Sequence, residues 1–289
     1  MKPAPFDYAK PATVAEACRI LSEAGGGATM IAGGQTLMPL LNLRMSQPFI
    51  LVDINGIAGL KGVSRGDGGT RVGPATRQSE ALRDATLNRH LPAFVKALSH
   101  VGHYQTRNRG TIGGSVALGE PAAEMPATAV ALGAMIEIAS VRGTRTVAAK
   151  DFYLGPYMTV LEPDELVTGI VYPDWADGHV VLFREVAQRP GDFALTGLVG
   201  AAEVAGDRIA RVGLAFFGMG PTPIRMVQAE ALLTGAALSS LDVDAVAAAG
   251  VADCAPFDDH HASAEYRRLV GKRILAATLR EAFNLKVAA

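Results

Sequence analysis

Two short glycine pairs constrain this chain more than any other feature of its sequence. Gly33-Gly34 lies in the segment TMIAGGQTLMPLLNLR, and Gly113-Gly114 lies in RNRGTIGGSVA. Apolar residues precede each pair, and a hydroxyl side chain follows it at Thr36 and Ser115. Glycine lets a backbone approach a ligand closely because it has no Cβ, and consecutive N–H groups in a tight turn bind anionic oxygens. We therefore interpret both pairs as backbone loops that bind one diphosphate, and so one dinucleotide.

The wide separation of the two pairs along the chain predicts that they close on this ligand from two sides. Other phosphate-binding motifs are absent from the sequence. No GxGxxG pattern occurs, which excludes the Rossmann fingerprint, and no Gly-Lys-Ser/Thr occurs, which excludes a P-loop. One Gly-Gly pair alone is more often a simple turn, but two pairs in the same apolar and hydroxyl setting favour a shared ligand.

Composition predicts a soluble globular protein with room for two domains. The chain has 289 residues, of which 49% are hydrophobic and 19% charged, and a chain of this length usually has more than one core. The net charge is −1 and no run of Lys or Arg exceeds two residues, so no nucleic-acid partner is predicted. No stretch is apolar and long enough to predict a membrane span, and residues 1–11 lack an apolar signal core.

The two cysteines, Cys18 and Cys254, lie far apart and form no CxxC pattern. We therefore expect that this chain binds no iron–sulfur cluster by itself. Cys18 is predicted to be a small core residue, and reduced cysteines fit a cytoplasmic location. His260 and His261 have only acids nearby, so no metal site is predicted.

Helix and strand signals alternate in the first part of the chain. A capping box at Thr13 predicts the start of a helix, and apolar runs at 28–32 and 49–54 predict strands. We expect residues 1–57 to form a first subdomain.

A second subdomain is predicted over residues 58–176. Its pattern predicts helices over 82–101 and 122–132 and a hairpin over 135–148. The segment 173–178 combines proline, glycine and acids between two apolar runs, which predicts a domain boundary there.

Residues 177–289 are predicted to form a separate α+β domain, because strands come first and helices follow. The predicted strands of its antiparallel sheet cover 180–186, 196–204 and 209–217. The last predicted helix covers 263–283, and we expect its apolar face to be formed by Tyr266, Leu269, Val270 and Ile274.

Several further motifs occur in a fixed order along the chain. They are FDY from Phe6, AGGQTLMPLLNLR, RNRGTIGGSVA, PAAEMPA from Pro121, DFY from Asp151, EPDEL from Glu162, RPGDFA from Arg189 and AEYRR from Ala264. With these motifs the chain resembles the FAD-binding medium subunit of bacterial molybdenum hydroxylases, the group of carbon monoxide dehydrogenase and multi-subunit xanthine dehydrogenases. The resemblance covers nearly the whole chain.

The resemblance implies an α+β fold in two parts. Residues 1–176 are expected to be a two-subdomain FAD-binding domain of the vanillyl-alcohol-oxidase-like (PCMH) type, and residues 177–289 a smaller α+β domain with a three-stranded antiparallel sheet and helices. The implied ligands of the FAD diphosphate and adjoining ribityl chain are Ala32, Gly33, Gly34, Gln35, Thr36, Thr111, Ile112, Gly113, Gly114 and Ser115. Glu124 is implied to contact the cofactor and Phe193 to lie near the isoalloxazine ring. Asp192 is predicted to order the loop beside that ring.

Two positions depart from the family pattern. Glu120 stands where relatives usually have Asp, and Glu185 stands where they often have Lys, with Arg184 beside it. These departures affect the expected details near the flavin and leave the FAD assignment unchanged.

The resemblance also implies a division of labour among subunits. A large subunit oxidises the substrate at a molybdopterin centre, and a small subunit relays electrons through [2Fe-2S] clusters to the FAD of this chain, which passes them to an external acceptor. No catalytic residue is therefore assigned here, and a dimer of heterotrimers is expected. Neither glycine loop contains His or Cys, so FAD is predicted to be bound non-covalently.

Two other functions stay open from the sequence. A self-sufficient FAD-dependent oxidase or reductase predicts substrate turnover by the isolated chain. A flavin-free assembly protein predicts the same fold without FAD, although the intact glycine loops argue against it.

Overall fold

The N-terminal subdomain is a small parallel sheet with helices beside it. In the computed structural model, which describes residues 2–285, its elements are β1 (Asp7–Ala9), α1 (Val14–Glu23), β2 (Ala28–Ile31), α2 (Leu37–Asn42) and β3 (Ile50–Asp53). The strand order is β1-β3-β2, and both pairings are parallel. Thr13 Oγ1 accepts a hydrogen bond from the Glu16 N–H at 3.1 Å and so begins α1 as predicted. Cys18 is buried in the core of this subdomain, which confirms its predicted place.

The second subdomain places helices against an antiparallel sheet. Its helices are α3 (Gln78–Ala81), α4 (Ala85–His90), α5 (Pro92–His100), α6 (Tyr104–Arg109), α7 (Ile112–Leu118) and α8 (Glu124–Ala131). Its strands are β4 (Val63–Gly66), β5 (Gly69–Val72), β6 (Met135–Ser140), β7 (Gly143–Ala148), β8 (Tyr153–Gly155), β9 (Met158–Thr159) and β10 (Leu166–Tyr172). The main sheet has the order β4-β5-β10-β6-β7. Every residue of α8 is buried, so this helix is the centre of the subdomain's core.

The single helix predicted over 82–101 is wrong, because two helices occupy that stretch. α4 ends at His90 and α5 begins at Pro92, with Leu91 between them in a non-helical conformation. Proline has no N–H to donate within a helix but fits the first helical position. Pro92 therefore starts a new helix.

The C-terminal part is an antiparallel sheet followed by helices. Its elements are β11 (Val180–Ala187), β12 (Ala194–Ala205), β13 (Arg208–Phe217), β14 (Ile224–Arg225), α9 (Val227–Leu233), α10 (Val243–Ala252) and α11 (Ala264–Ala282). The three predicted strands are present, and the two-residue β14 extends their sheet to the order β11-β12-β13-β14. The sheet packs against α10 and α11 through a second hydrophobic core.

The predicted apolar face of the last helix is wrong in part. Tyr266 and Leu269 are 43% and 48% exposed, whereas Arg267 and Gly271 are buried. Arg267 donates to the Leu195 carbonyl and so faces the sheet. A Cβ at Gly271 would lie 2.6 Å from Met219 Cε, so the helix packs closely there. The face of the helix that packs against the sheet therefore includes a buried arginine and a buried glycine, and it differs from the face that hydrophobicity predicts.

The segment between the two predicted domains is packed rather than free. Trp175 is 7% exposed, and the Arg211 guanidinium carbon lies 3.9 Å from the centre of its ring. One hydrophobic core contains Phe94 and Tyr172 from the first predicted domain and Phe217 from the second. The boundary at 176/177 stays a prediction, and the outer domain limits, residues 1 and 289, lie outside the described residues. Among residues 2–285, no helix has the length and apolarity needed to cross a membrane.

Candidate dinucleotide-binding site

The two glycine segments touch each other across the boundary between the first two subdomains. A Cβ at Gly33 would lie 2.6 Å from the Arg109 carbonyl oxygen and 2.8 Å from Gly110 Cα. A Cβ at Gly113 would overlap Pro74. Both positions therefore require glycine because of close backbone packing. The two segments therefore lie in direct contact, whereas their closure on one ligand stays a prediction.

A cavity of about 560 Å³ lies at this contact. All but one of the predicted cofactor residues line it. They are Ala32, Gly33, Gly34, Gln35, Thr36, Thr111, Gly113, Gly114, Ser115, Glu124, Asp192 and Phe193. The structure does not bring Ile112 to the cavity, since that side chain is fully buried in the hydrophobic core.

The first glycine segment presents unused hydrogen-bond donors. β2 ends at Ile31 and α2 begins at Leu37, so the residues between them belong to neither a sheet nor a helix. The N–H groups of residues 33–36 donate to no acceptor within the part of the chain that the structure describes. Gly34 has φ +69°, a left-handed conformation that glycine adopts without steric penalty. A row of free N–H groups beside a cavity suits an anionic ligand group.

The second glycine segment is a helix start and not the predicted loop. The N–H groups of its glycine pair and of Ser115 are already used: Gly113 donates to the Pro74 carbonyl at 2.8 Å, and Ser115 donates to the Thr111 carbonyl at 3.2 Å. Gly114 donates to the Thr111 hydroxyl at 3.1 Å, because Thr111 caps α7. The prediction that both pairs offer free N–H groups is therefore wrong for this pair. It contributes a surface without side chains, followed by the Ser115 hydroxyl.

Two residues outside the glycine motifs hold the segments at their spacing. Asn55 Nδ2 donates to the Ala32 carbonyl at 2.8 Å, and Arg77 Nη2 donates to Asn55 Oδ1 at 2.7 Å. Arg77 Nη1 in turn donates to the Arg109 carbonyl. This chain of hydrogen bonds links the first segment to the stretch before the second. Sequence reasoning missed it because neither residue belongs to a recognisable motif.

Three acidic side chains lie in or near the cavity. Burial raises the pKa of Glu124 to about 8, and the charge of Glu185 acts in the same direction while Arg107 opposes it. Burial also raises the pKa of Glu185 to about 7. Glu120, the other departure from the family pattern, lines the cavity and accepts a hydrogen bond from the Ala122 N–H at 3.0 Å.

Glu185 has an ionisable neighbour but no ion pair at neutral pH. Its Oε2 lies 3.6 Å from His100 Nδ1, and burial lowers the pKa of His100. The imidazole is therefore neutral at pH 7. Glu185 Oε2 has no hydrogen-bond partner among residues 2–285. The apolar surroundings thus favour the protonated forms of Glu185 and Glu124.

The C-terminal part closes one side of the cavity. Gly191, with φ +90°, packs directly against the His103 ring, and the following Phe193 is 62% exposed. His103 precedes α6 and lines the cavity. Within the described residues, no group of His, Cys, Asp and Glu has an arrangement that holds a metal ion.

Two family models match nearly the whole chain. The FAD binding domain in molybdopterin dehydrogenase matches residues 4–175, and the CO dehydrogenase flavoprotein C-terminal domain matches residues 181–282. The chain belongs to the family of FAD-binding subunits of molybdopterin dehydrogenases. The resemblance inferred from the ordered motifs is confirmed, and so is the predicted FAD-binding domain followed by a C-terminal domain.

Individual relatives of this FAD-binding subunit match over their full length. The 6-hydroxypseudooxynicotine dehydrogenase complex subunit alpha of Paenarthrobacter nicotinovorans is 36% identical over 285 residues, which cover 98% of this chain and 96% of that protein. The carbon monoxide dehydrogenase medium chain of Hydrogenophaga pseudoflava is 32% identical over 283 residues, which cover 98% of this chain and 99% of that one.

A solved structure shows the same fold. It is carbon monoxide dehydrogenase from Hydrogenophaga pseudoflava lacking the Mo-pyranopterin moiety of its molybdenum cofactor. It matches this FAD-binding subunit with a TM-score of 0.95 and 32% sequence identity, covering 99% of this chain and 100% of that chain. Of these relatives, one is named as a subunit of a dehydrogenase complex and one as a medium chain.

Proposed function

We propose that this chain is the FAD-carrying electron-transfer subunit of a heteromeric molybdenum hydroxylase. The observation that carries the proposal is the cavity between the glycine segments, in a chain that belongs to an FAD-binding family. On one side of the cavity are the free N–H groups of residues 33–36, and on the other is the surface of Gly113-Gly114, which has no side chains. This pairing suits a diphosphate, which needs donors on one side and close approach on the other.

Each part of the cavity has a distinct proposed role toward FAD. The N–H groups of residues 33–36 and the hydroxyls of Thr36 and Ser115 bind the diphosphate and adjoining ribityl oxygens. Glu124, protonated at neutral pH, donates a hydrogen bond to the cofactor. Asp192 and Phe193 lie on the loop at the flavin ring. FAD, when bound, supplies the electron carrier that no side chain of this protein provides.

The proposed partners supply the chemistry that this chain lacks. Both cysteines are buried, at 2% and 4% exposure, so neither is available to bind a [2Fe-2S] cluster. We propose that a small subunit carries those clusters and that a large subunit oxidises the substrate at a molybdopterin centre. A dimer of such heterotrimers in the cytoplasm is the proposed assembly. An external acceptor then receives electrons from the FAD of this chain.

One comparison separates this proposal from a self-sufficient oxidase and from a flavin-free assembly protein. The chain is purified alone and also after co-expression with its neighbouring reading frames, and flavin absorbance and dye reduction are measured for both. Flavin absorbance in both samples with substrate-dependent dye reduction only in the complex is the expected result. Turnover by the isolated chain would instead indicate a self-sufficient enzyme. A colourless chain that binds no added FAD would indicate an assembly protein.

A further inference from the structure

Gln78 carries a buried side-chain amide that has no partner beside the two glycine segments. The residue is 3% exposed, and its Oε1 accepts no hydrogen bond within the described residues. Its Nε2 donates none there either, yet Gln78 lines the cavity. Burying an amide oxygen without a donor is unfavourable for the free protein. Nε2 is not among the fully buried atoms, so it is the end of the amide that is open to the cavity and free to donate to a ligand there.

The backbone fixes where this amide lies. The Gln78 N–H donates to the Gly110 carbonyl at 2.9 Å, and a Cβ at Gly110 would lie 2.5 Å from Gln78 Oε1. Gly110 Cα in turn is the atom that a Cβ at Gly33 would approach at 2.8 Å. The amide thus lies across Gly110 from the first glycine segment, on the side of the cavity formed by the second subdomain.

The N–H groups of the second glycine pair are not free to bind a ligand. The N–H groups of Gly113 and Gly114 are bonded to the Pro74 carbonyl and the Thr111 hydroxyl. A diphosphate held by residues 33–36 would therefore meet no main-chain donor from the second glycine pair. A glutamine amide supplies two N–H donors and carries no charge of its own. Gln78 is placed to serve as the donor that this glycine pair does not provide.

We propose that Gln78 is a ligand of the bound dinucleotide and that its Nε2 donates to a diphosphate oxygen. The proposal rests on the proposed FAD function. It also predicts opposite effects of one substitution on the free and bound protein. Gln78→Leu removes an unpartnered buried amide, so the FAD-free chain keeps or gains thermal stability. The same substitution removes a donor to a charged group, so FAD affinity falls by about tenfold or more.

The test measures dissociation constants of FAD and of ADP, together with the melting temperature of the FAD-free full chain. Gln78→Leu is expected to weaken both ligands by similar factors, because both contain the diphosphate. Gln78→Glu is nearly the same shape and places a carboxylate at the diphosphate, so a loss of about a hundredfold is expected. The matched control is Gln228→Glu, since Gln228 is exposed and bonds Asp253 away from the cavity; it leaves both affinities unchanged.

Each contrary result has a separate meaning. FAD and ADP affinities within twofold of wild type in both Gln78 variants would overturn the role of Gln78 while leaving the FAD site intact. Loss of FAD affinity without loss of ADP affinity would also overturn it, because the contact would not be with the diphosphate. Failure of the wild-type chain itself to bind FAD would contradict the proposed function instead.

Discussion

Gly33→Ala tests the contact between the two glycine segments on which the site depends. The added Cβ would lie 2.6 Å from the Arg109 carbonyl oxygen and 2.8 Å from Gly110 Cα. Both are backbone atoms, and the carbonyl already accepts a hydrogen bond from Arg77. Neither can move aside by a change of rotamer, so the two segments must separate.

The size of the effect follows from the cost of overpacking. Inserting a methyl group into a closely packed place costs typically about 1–3 kcal/mol. We expect the free energy of unfolding of the FAD-free chain to fall by about this amount. Separation of the segments also misplaces the donors of residues 33–36, and a loss of about 1.4 kcal/mol in binding is a tenfold loss of affinity. FAD affinity should therefore fall by about ten- to a hundredfold.

The assay is FAD titration followed by flavin fluorescence, with urea unfolding measured in parallel. Gly66→Ala is the matched control, because no atom lies within 4 Å of a Cβ at that position; its stability should change by less than about 0.5 kcal/mol. A Gly33→Ala protein that binds FAD as tightly as the control and unfolds at the same urea concentration would show that the site does not depend on this contact.

Three further predictions concern the link between the segments, the buried acids and the attachment of FAD. Asn55→Ala removes the hydrogen bonds to Ala32 and Arg77. The free energy of unfolding measured with urea should fall by about 1–3 kcal/mol, and FAD affinity should fall as well. An unchanged affinity would show that this link does not hold the glycine segments in their binding geometry. The pKa of Glu124 is about 8 in the folded protein, against an ordinary value of 4.5. Between these two pH values the folded state keeps a proton that the unfolded state releases. The free energy of unfolding therefore falls as pH rises from 4.5 to 8. Urea unfolding at several pH values should show a smaller fall in the free energy of unfolding for Glu124→Gln than for wild type, with the part due to Glu185 remaining. Equal falls in the two proteins would contradict the raised pKa of Glu124. FAD should stay in the supernatant after acid precipitation, because the glycine segments contain no His or Cys. A yellow washed pellet would instead indicate a covalent bond.

The two glycine pairs can be recognised from the sequence because glycine is needed where backbone segments pack closely. Gly33 and Gly113 each stand where a side chain would overlap backbone or proline atoms, and this requirement is visible in the residue type itself. The sequence did not reveal that the second pair starts a helix. That outcome depends on the Thr111 cap and on the Pro74 carbonyl, which only the folded chain brings into position.

Other elements differ from prediction where long-range packing overrides the local pattern. Pro92 divides a continuous apolar pattern into two helices. In α11 the buried stripe includes Arg267, whose hydrogen bonds to Leu195 and Asp259 come from distant parts of the fold. Hydrophobic periodicity assigns an arginine to the surface, so it indicated the wrong face.

The polar residues that complete the site were the hardest to predict. Gln78, Asn55 and Arg77 lie outside the motifs, and polar residues of these kinds are common on protein surfaces. Only the folded chain shows that Gln78 is buried and that Asn55 and Arg77 bond the Ala32 and Arg109 carbonyls, respectively.

One FAD diphosphate is proposed to lie between the two glycine segments. A crystal structure of the full chain with FAD is the decisive measurement. Diphosphate density is expected within hydrogen-bond distance of the N–H groups of residues 33–36, with Gly113-Gly114 on the opposite side. Density for the diphosphate elsewhere on the chain, or a diphosphate that contacts only one of the two segments, would contradict it.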